Sequence, residues 1–198
     1  MRVVLATGNA GKLRELSALL APYGLTLLRQ TELGVHAIEE TGETFEANAL
    51  LKARHAARVT GLPALADDSG IEVDALGGRP GVRSARFAGD AATDDANLKR
   101  LLQCLEDTPD EARTARYRAV IVMVRDADDP QPVIAQGAWE GTITRVPSGS
   151  GGFGYDPIFL PAGSALTAAE LTAEAKNAVS HRAQALRDLI ARQPWSSR

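Results

Sequence analysis

The 198-residue chain has a single cysteine, Cys104. One thiol excludes an internal disulfide and any zinc site built on cysteines. No apolar run approaches the ~20 residues that a membrane-spanning helix needs. Met1-Arg2 leads straight into Val3-Val4-Leu5 with no secretory pattern, so a cytoplasmic protein with no membrane partner is expected. Excess positive charge is missing too. The net charge is -3 and the sequence pI is about 5.7, with no basic stripe carrying interleaved aromatics. That argues against nucleic acid as a partner, while leaving room for a local basic pocket. Internal repeats, linkers and low-complexity segments are also absent, so residues 1–198 read as one folding unit. Lysine is scarce, restricted to Lys12, Lys52, Lys99 and Lys176.

What is present is ordinary for a globular protein: 44% hydrophobic and 24% charged residues. The length supports a well-filled core arranged in two lobes. Its focal stretch is Leu65-Ala66-Asp67-Asp68-Ser69-Gly70. Ala64 to Ala66 reads as a buried strand ending in two carboxylates, a hydroxyl and a glycine. Strand ends in α/β proteins face ligand sites. Neighbouring side chains on an extended backbone point to opposite faces, so Asp67 and Asp68 should do different jobs.

Val3 to Ala6 predicts a first strand, followed by Thr7-Gly8-Asn9-Ala10-Gly11-Lys12 and then leucines at helical spacing from Leu13 to Leu20. A strand, a small polar loop and a helix start make an anion site, to which Lys12 adds a full charge. It is not a Walker loop, because only two residues separate Gly8 and Gly11. Leu25 to Leu28 suggests a second strand. Acidic Glu39-Glu40-Thr41-Gly42 precedes a helix that Thr44 caps and Gly61-Leu62-Pro63 stops. Asn48 and Lys52 share one face of it.

Ser84 to Phe87 is ambiguous, and Thr93 caps a further helix through Leu105. Tyr117 to Val124 is the clearest strand. Val133 to Thr144 reads as one or two antiparallel strands, which makes the sheet mixed. Gly149, Gly151 and Gly154 spell a dinucleotide-binding pattern, but Tyr155-Asp156-Pro157 opens no helix and no βαβ unit follows. The glycine run with Phe153, Tyr155 and Asp156 suits a loop that closes on a planar ligand. Thr167 to Glu170 fits a capping box. Ser180 caps the last helix and puts His181 and Arg182 in its first turn, where basic groups oppose the dipole unless an anion relieves them.

Together, Thr7-Gly8-Asn9-Ala10-Gly11-Lys12, Leu65-Ala66-Asp67-Asp68-Ser69-Gly70, Gly152-Phe153-Gly154-Tyr155-Asp156-Pro157 and Ser180-His181-Arg182 resemble the inosine/xanthosine triphosphate pyrophosphatases. Those enzymes remove non-standard purine nucleoside triphosphates. The resemblance spans essentially the whole chain, Glu40-Thr41-Gly42 and Phe45 to Ala49 included. It implies an α/β fold: a long twisted mixed β-sheet flanked by helices, with two lobes and a central cleft. It further implies a homodimer and Mg²⁺-dependent cleavage of a triphosphate to monophosphate and pyrophosphate. Carried over by motif, Thr7, Gly8, Asn9, Ala10, Gly11 and Lys12 hold the triphosphate, and Asp68 is base and metal ligand. Glu39 matches the second metal carboxylate, with adjacent Glu40 the alternative. Ser69, Phe153, Gly154, Tyr155, Asp156, Lys176, His181 and Arg182 match substrate-binding positions.

The residue chemistry agrees with this assignment. Mg²⁺ takes one or two carboxylates plus substrate phosphates, and Glu39 with Asp68 supplies such a pair. Lys12 and Lys176, with Lys52 or Arg182, offset a triphosphate's roughly four negative charges. His181 and Arg182 are candidates to read the 6-oxo group of hypoxanthine or xanthine, and Phe153 to stack on the base. Two other readings compete: a Maf-like pyrophosphatase for other nucleotides, and a catalytically silent nucleotide sensor. Ser180-His181-Arg182 speaks against the first, and the Asp67-Asp68 pair with Glu39 against the second.

Overall fold

A computed structural model describes residues 1–192. The chain runs β1 (Arg2–Leu5), α1 (Ala10–Leu20), β2 (Thr26–Arg29), α2 (Phe45–Thr60), β3 (Ala64–Val73), α3 (Asp94–Cys104), β4 (Thr114–Val124), β5 (Val133–Ile143), β6 (Phe159–Pro161), α4 (Ala173–Val179) and α5 (His181–Ala191). Short 3₁₀ turns fill several connections, including Gly81–Arg86, where the sequence was ambiguous. The strands form one six-stranded sheet in the order β2-β1-β3-β4-β5-β6. β1 pairs parallel to β2 and to β3, whereas β5 and β6 are antiparallel, so the sheet is mixed as expected. No described helix is long and apolar enough to cross a membrane.

The chain packs as two compact units. The first comprises Met1–Asp68, Ala119–Gly137 and the segment from Arg182 onward; the second comprises Ser69–Arg118 and Ala138–His181. Each has its own apolar core. In the first unit Val3, Leu5 and Leu65 from the strands pack with Leu16 and Leu20 of α1 and with Leu186 and Leu189 of α5. In the second, Ile71 and Val73 pack with Leu98, Leu101 and Leu105 of α3 and with Trp139, Ile158 and Phe159. The apolar spacing of α1, α3 and α5 therefore marks buried faces, as helical periodicity requires.

Local chemistry sets the element boundaries. The Asn9 side chain accepts the Lys12 N–H at 3.0 Å and caps α1. Thr44 does the same for α2 through the Ala47 N–H at 3.1 Å, and Gly61, at φ +66°, ends that helix. Three outcomes differ from the sequence reading or refine it. β3 does not stop at Ala66 but runs through Asp67 and Asp68 to Val73. Cationic partners let the two carboxylates lie buried inside a strand. β5 is one continuous strand; a side chain at Gly141 would run into the Phe159 ring of β6 at 2.7 Å. Only half of the capping box at Thr167 forms. The Thr167 N–H donates to Glu170 Oε2 at 2.8 Å, while the Thr167 hydroxyl donates to the Ser148 carbonyl instead. That bond closes a turn, and α4 starts later, capped by Thr172.

Candidate active site

Two charge networks meet at the carboxyl end of β1 and within β3. The register pairs Val4 with Ala64 and Leu5 with Leu65. Asp67 and Asp68 thus lie just past the paired stretch, at the end from which the Thr7–Lys12 loop departs. Inside that loop the Asn9 N–H donates to Thr7 Oγ1 at 3.2 Å, and Ala10, Gly11 and Lys12 form the first turn of α1. First-turn amides lack an acceptor four residues back, which suits such a turn to anions.

The first network is centred on Asp67, which is almost wholly buried. Its Oδ1 lies 2.7 Å from Lys12 Nζ, and its Oδ2 lies 3.3 Å from Arg182 Nε. Arg182 Nη1 also reaches Glu15 Oε2 at 2.5 Å. Burial alone would push the Asp67 pKa up; the Lys12 and Arg182 charges outweigh it and hold the group far below the usual carboxylate range. Lys12 is lowered from its ordinary value, chiefly by burial and also by Lys52 and Arg182, against the pull of Asp67.

The second network is centred on Lys52. Its ammonium donates to Glu40 Oε1 at 2.7 Å and to Asp68 Oδ1 at 2.8 Å. Burial works to lower the Lys52 pKa, but Asp68 and Glu40 together raise it, so Lys52 stays charged. Asp68 also shifts upward, unlike Asp67. Burial raises it above the normal aspartate value, despite Lys52 and Lys12. Its second oxygen, Oδ2, is buried without a hydrogen-bond partner among the described residues. An unmatched buried carboxylate oxygen is costly, and a bound ligand would remove the cost.

The structure distinguishes the two acidic residues before α2. Glu40 meets Lys52 beside Asp68, whereas Glu39 is exposed. The networks bring four carboxylates (Glu15, Glu40, Asp67 and Asp68) against three cations, Lys12, Lys52 and Arg182. Among the described residues no group of three or more His, Cys, Asp or Glu is disposed to hold a metal ion. Two carboxylates, one with an unmatched oxygen, fit a hard divalent cation that completes its shell with water and phosphate. Glu40 and Asp68 are the residues suited to Mg²⁺.

The second unit holds the other expected positions. Asp156 Oδ2 accepts from Lys176 Nζ at 2.5 Å and from the Phe153 N–H at 2.9 Å, with both charged groups buried. The Lys176 ammonium also lies 5.0 Å from the Phe153 ring centroid. The Gly154 N–H donates to Asp94 Oδ2 at 2.8 Å, and the Tyr155 hydroxyl donates to the Ser84 carbonyl at 2.8 Å. Burial raises the Tyr155 pKa, with Asp94 adding to it, so the phenol stays protonated. Gly152, at φ +71°, curls the loop so tightly over Asp156 that any side chain there would strike its carboxylate. The His181 ring stacks on Tyr117 at 4.7 Å between centroids. Ser69 follows Asp68 on β3 as the first residue of this unit.

Lys176 pairs with Asp156 within the second unit, and among the described residues Lys12, Lys52 and Arg182 pair with the two aspartates. The sequence reading placed no partner on Glu15. Its only signal was the three-residue spacing from Lys12 along α1, which matches an ordinary surface ion pair.

The Ham1 family model matches residues 3–192. The chain belongs to the Ham1 family. A curated relative from Shigella flexneri, named dITP/XTP pyrophosphatase, is 60% identical over 189 residues, 96% of each chain. Solved Ham1 structures agree. The protein from Coxiella burnetii is 48% identical with a TM-score of 0.91, covering 99% of this chain and 100% of its own. That from Staphylococcus aureus is 36% identical with a TM-score of 0.85, covering 98% of each. The expected resemblance and fold class are thus borne out, and this Ham1 chain resembles nucleoside triphosphate hydrolases along its length.

Proposed function

We propose that this Ham1-family chain hydrolyses dITP, XTP and ITP to the nucleoside monophosphate and pyrophosphate in a Mg²⁺-dependent reaction, keeping such nucleotides out of DNA and RNA. The observation that carries the reading is the unmatched, buried Asp68 Oδ2 beside Lys52, in a chain similar along its length to an enzyme named for that activity. The homodimer implied by the sequence resemblance belongs to the same proposal.

The first turn of α1 and Lys12 receive the triphosphate. Glu40 and Asp68 hold Mg²⁺, which when bound neutralises phosphate charge. Asp68 orients a water toward the α-phosphorus and takes its proton. The water oxygen bonds to phosphorus, the bond from phosphorus to the α–β bridging oxygen breaks, and pyrophosphate departs with that electron pair. Lys52 and Lys12 stabilise the charge that develops on the departing group. At the base, Phe153 offers its ring, and His181 and Arg182 supply donors for the 6-oxo group. Asp67 and Glu15 fix the Arg182 guanidinium. A donor set built for an oxo group is left unpaired by adenine, a discrimination worth about 10⁴–10⁵ at best.

Two experiments test this. Incubation with Mg²⁺ and ITP, dITP, XTP, GTP, ATP or dTTP in heavy-oxygen water should give monophosphate and pyrophosphate from the first three, with the label in the monophosphate. Label in pyrophosphate, or diphosphate plus phosphate as products, refutes attack at the α-phosphorus. Arg182→Ala should lower the ratio of kcat/KM for ITP over ATP by at least about tenfold, a fraction of that range. An unchanged ratio removes Arg182 from base recognition.

A further inference from the structure

Asn48 is fully buried in the second turn of α2, and no step of the proposed reaction uses it. Its side chain makes two bonds to one residue of the preceding turn. Its Oδ1 accepts the Gly42 N–H at 2.7 Å, and its Nδ2 donates to the Gly42 carbonyl at 3.1 Å. The amide thus occupies both backbone polar groups of Gly42. Glycine is required there, because an added Cβ would lie 2.6 Å from Asn48 Oδ1 and 2.8 Å from the Ala47 Cβ. The Thr44 cap pins the same turn two residues later, through the Ala47 N–H at 3.1 Å.

The pinned turn carries Glu40, two residues before Gly42. One helical turn beyond Asn48, on the same face of α2, stands Lys52, whose ammonium bridges Glu40 and Asp68. A single helix face therefore fixes both the backbone under Glu40 and the cation that holds its carboxylate. Without the Gly42 lock, the backbone under Glu40 would lose one of its ties to α2, leaving the Thr44 cap and the Lys52 ion pair. A freer carboxylate loses more entropy when it binds a ligand.

We propose that Asn48 is a positioning residue that acts through Glu40, its bidentate bond to Gly42 holding that carboxylate beside Asp68 for a divalent cation. The inference rests on the reading that Glu40 and Asp68 hold the metal. Groups that orient metal ligands typically change affinity by about 10–100-fold when removed, which sets the size of the effect.

The test uses the full-length protein without nucleotide and reads Mn²⁺ binding by electron paramagnetic resonance, beside the Mg²⁺ midpoint for turnover of dITP. Asn48→Ala should weaken Mn²⁺ binding about tenfold or more and raise the Mg²⁺ midpoint in parallel. Gly42→Ala displaces the turn while keeping Asn48 and the helix interior, and it should do the same even if Asn48→Ala folds poorly. In a Glu40→Gln background, Asn48→Ala should change Mn²⁺ binding less than about twofold, as expected when two residues act through one contact. Unchanged Mn²⁺ binding in Gly42→Ala, or a full effect of Asn48→Ala persisting without Glu40, overturns the proposal. If Glu40→Gln alone leaves Mn²⁺ binding intact, the metal assignment to Glu40 fails, and the role of Asn48 falls with it.

Discussion

Asp68→Asn is expected to lower kcat for dITP by about 10²–10⁴-fold, the usual contribution of a positioned general base, while KM moves far less. The amide is nearly isosteric and can still accept from Lys52 in place of Oδ1. It lacks the charge on the oxygen that stands buried and unmatched, and that oxygen is the one proposed to meet metal and water. Loss from kcat rather than from binding is the mark of an interaction made in the transition state. The Mg²⁺ midpoint should rise in the same variant, since one of two hard carboxylate ligands has become a neutral amide. Steady-state kinetics across a Mg²⁺ series reads both quantities. Turnover within about twofold of the parent would remove Asp68 as base; an unchanged Mg²⁺ midpoint would remove it as ligand.

The distribution of partners around Asp68 also explains what the sequence could and could not reveal. The alternation rule separates Asp67 from Asp68 before any coordinates are known, and the structure gives them different partners: Lys12 and Arg182 for one, Lys52 for the other. Helix α1 was legible because its apolar spacing is local. The same holds for α2. The mixed sheet followed from the short, β-branched runs and their turns. Contacts between distant segments were not legible. Arg182 meets Asp67 across 115 residues of sequence, and no periodicity encodes such a pairing. Glu39 and Glu40 are chemically identical neighbours, and only the path of the turn, fixed by Asn48 on Gly42, decides which one reaches Lys52. The partner of Lys176 was equally hidden. Its scarcity and its place near an anion motif are visible in the sequence, but the counter-ion that its burial demands, Asp156, is not.

Asp67→Ala should destabilise the protein by about 3–5 kcal/mol, the typical cost of breaking a buried ion pair by removing one partner. The size follows from geometry. Asp67 pairs with both Lys12 and Arg182, and each of its oxygens holds one of them. Its side chain is fully enclosed, and Arg182 is 3% exposed. Solvent therefore cannot replace what the mutation removes. Glu15 still balances Arg182, so the Lys12 ammonium bears most of the loss. The pH dependence has a definite sign. A carboxylate held far below its unfolded pKa contributes stability that is fully present above the normal aspartate range and lost as pH falls through that range toward the folded value. The gap between parent and Asp67→Ala, measured by urea unfolding, should accordingly be widest near neutrality and narrow in acid. Adding Lys12→Met to Asp67→Ala should recover part of the lost stability, because the orphaned charge is gone, while activity stays low for want of the lysine. Equal stability of parent and Asp67→Ala at pH 7 would show that water reaches Lys12 freely, and the first network would then be a surface ion pair of little energetic consequence.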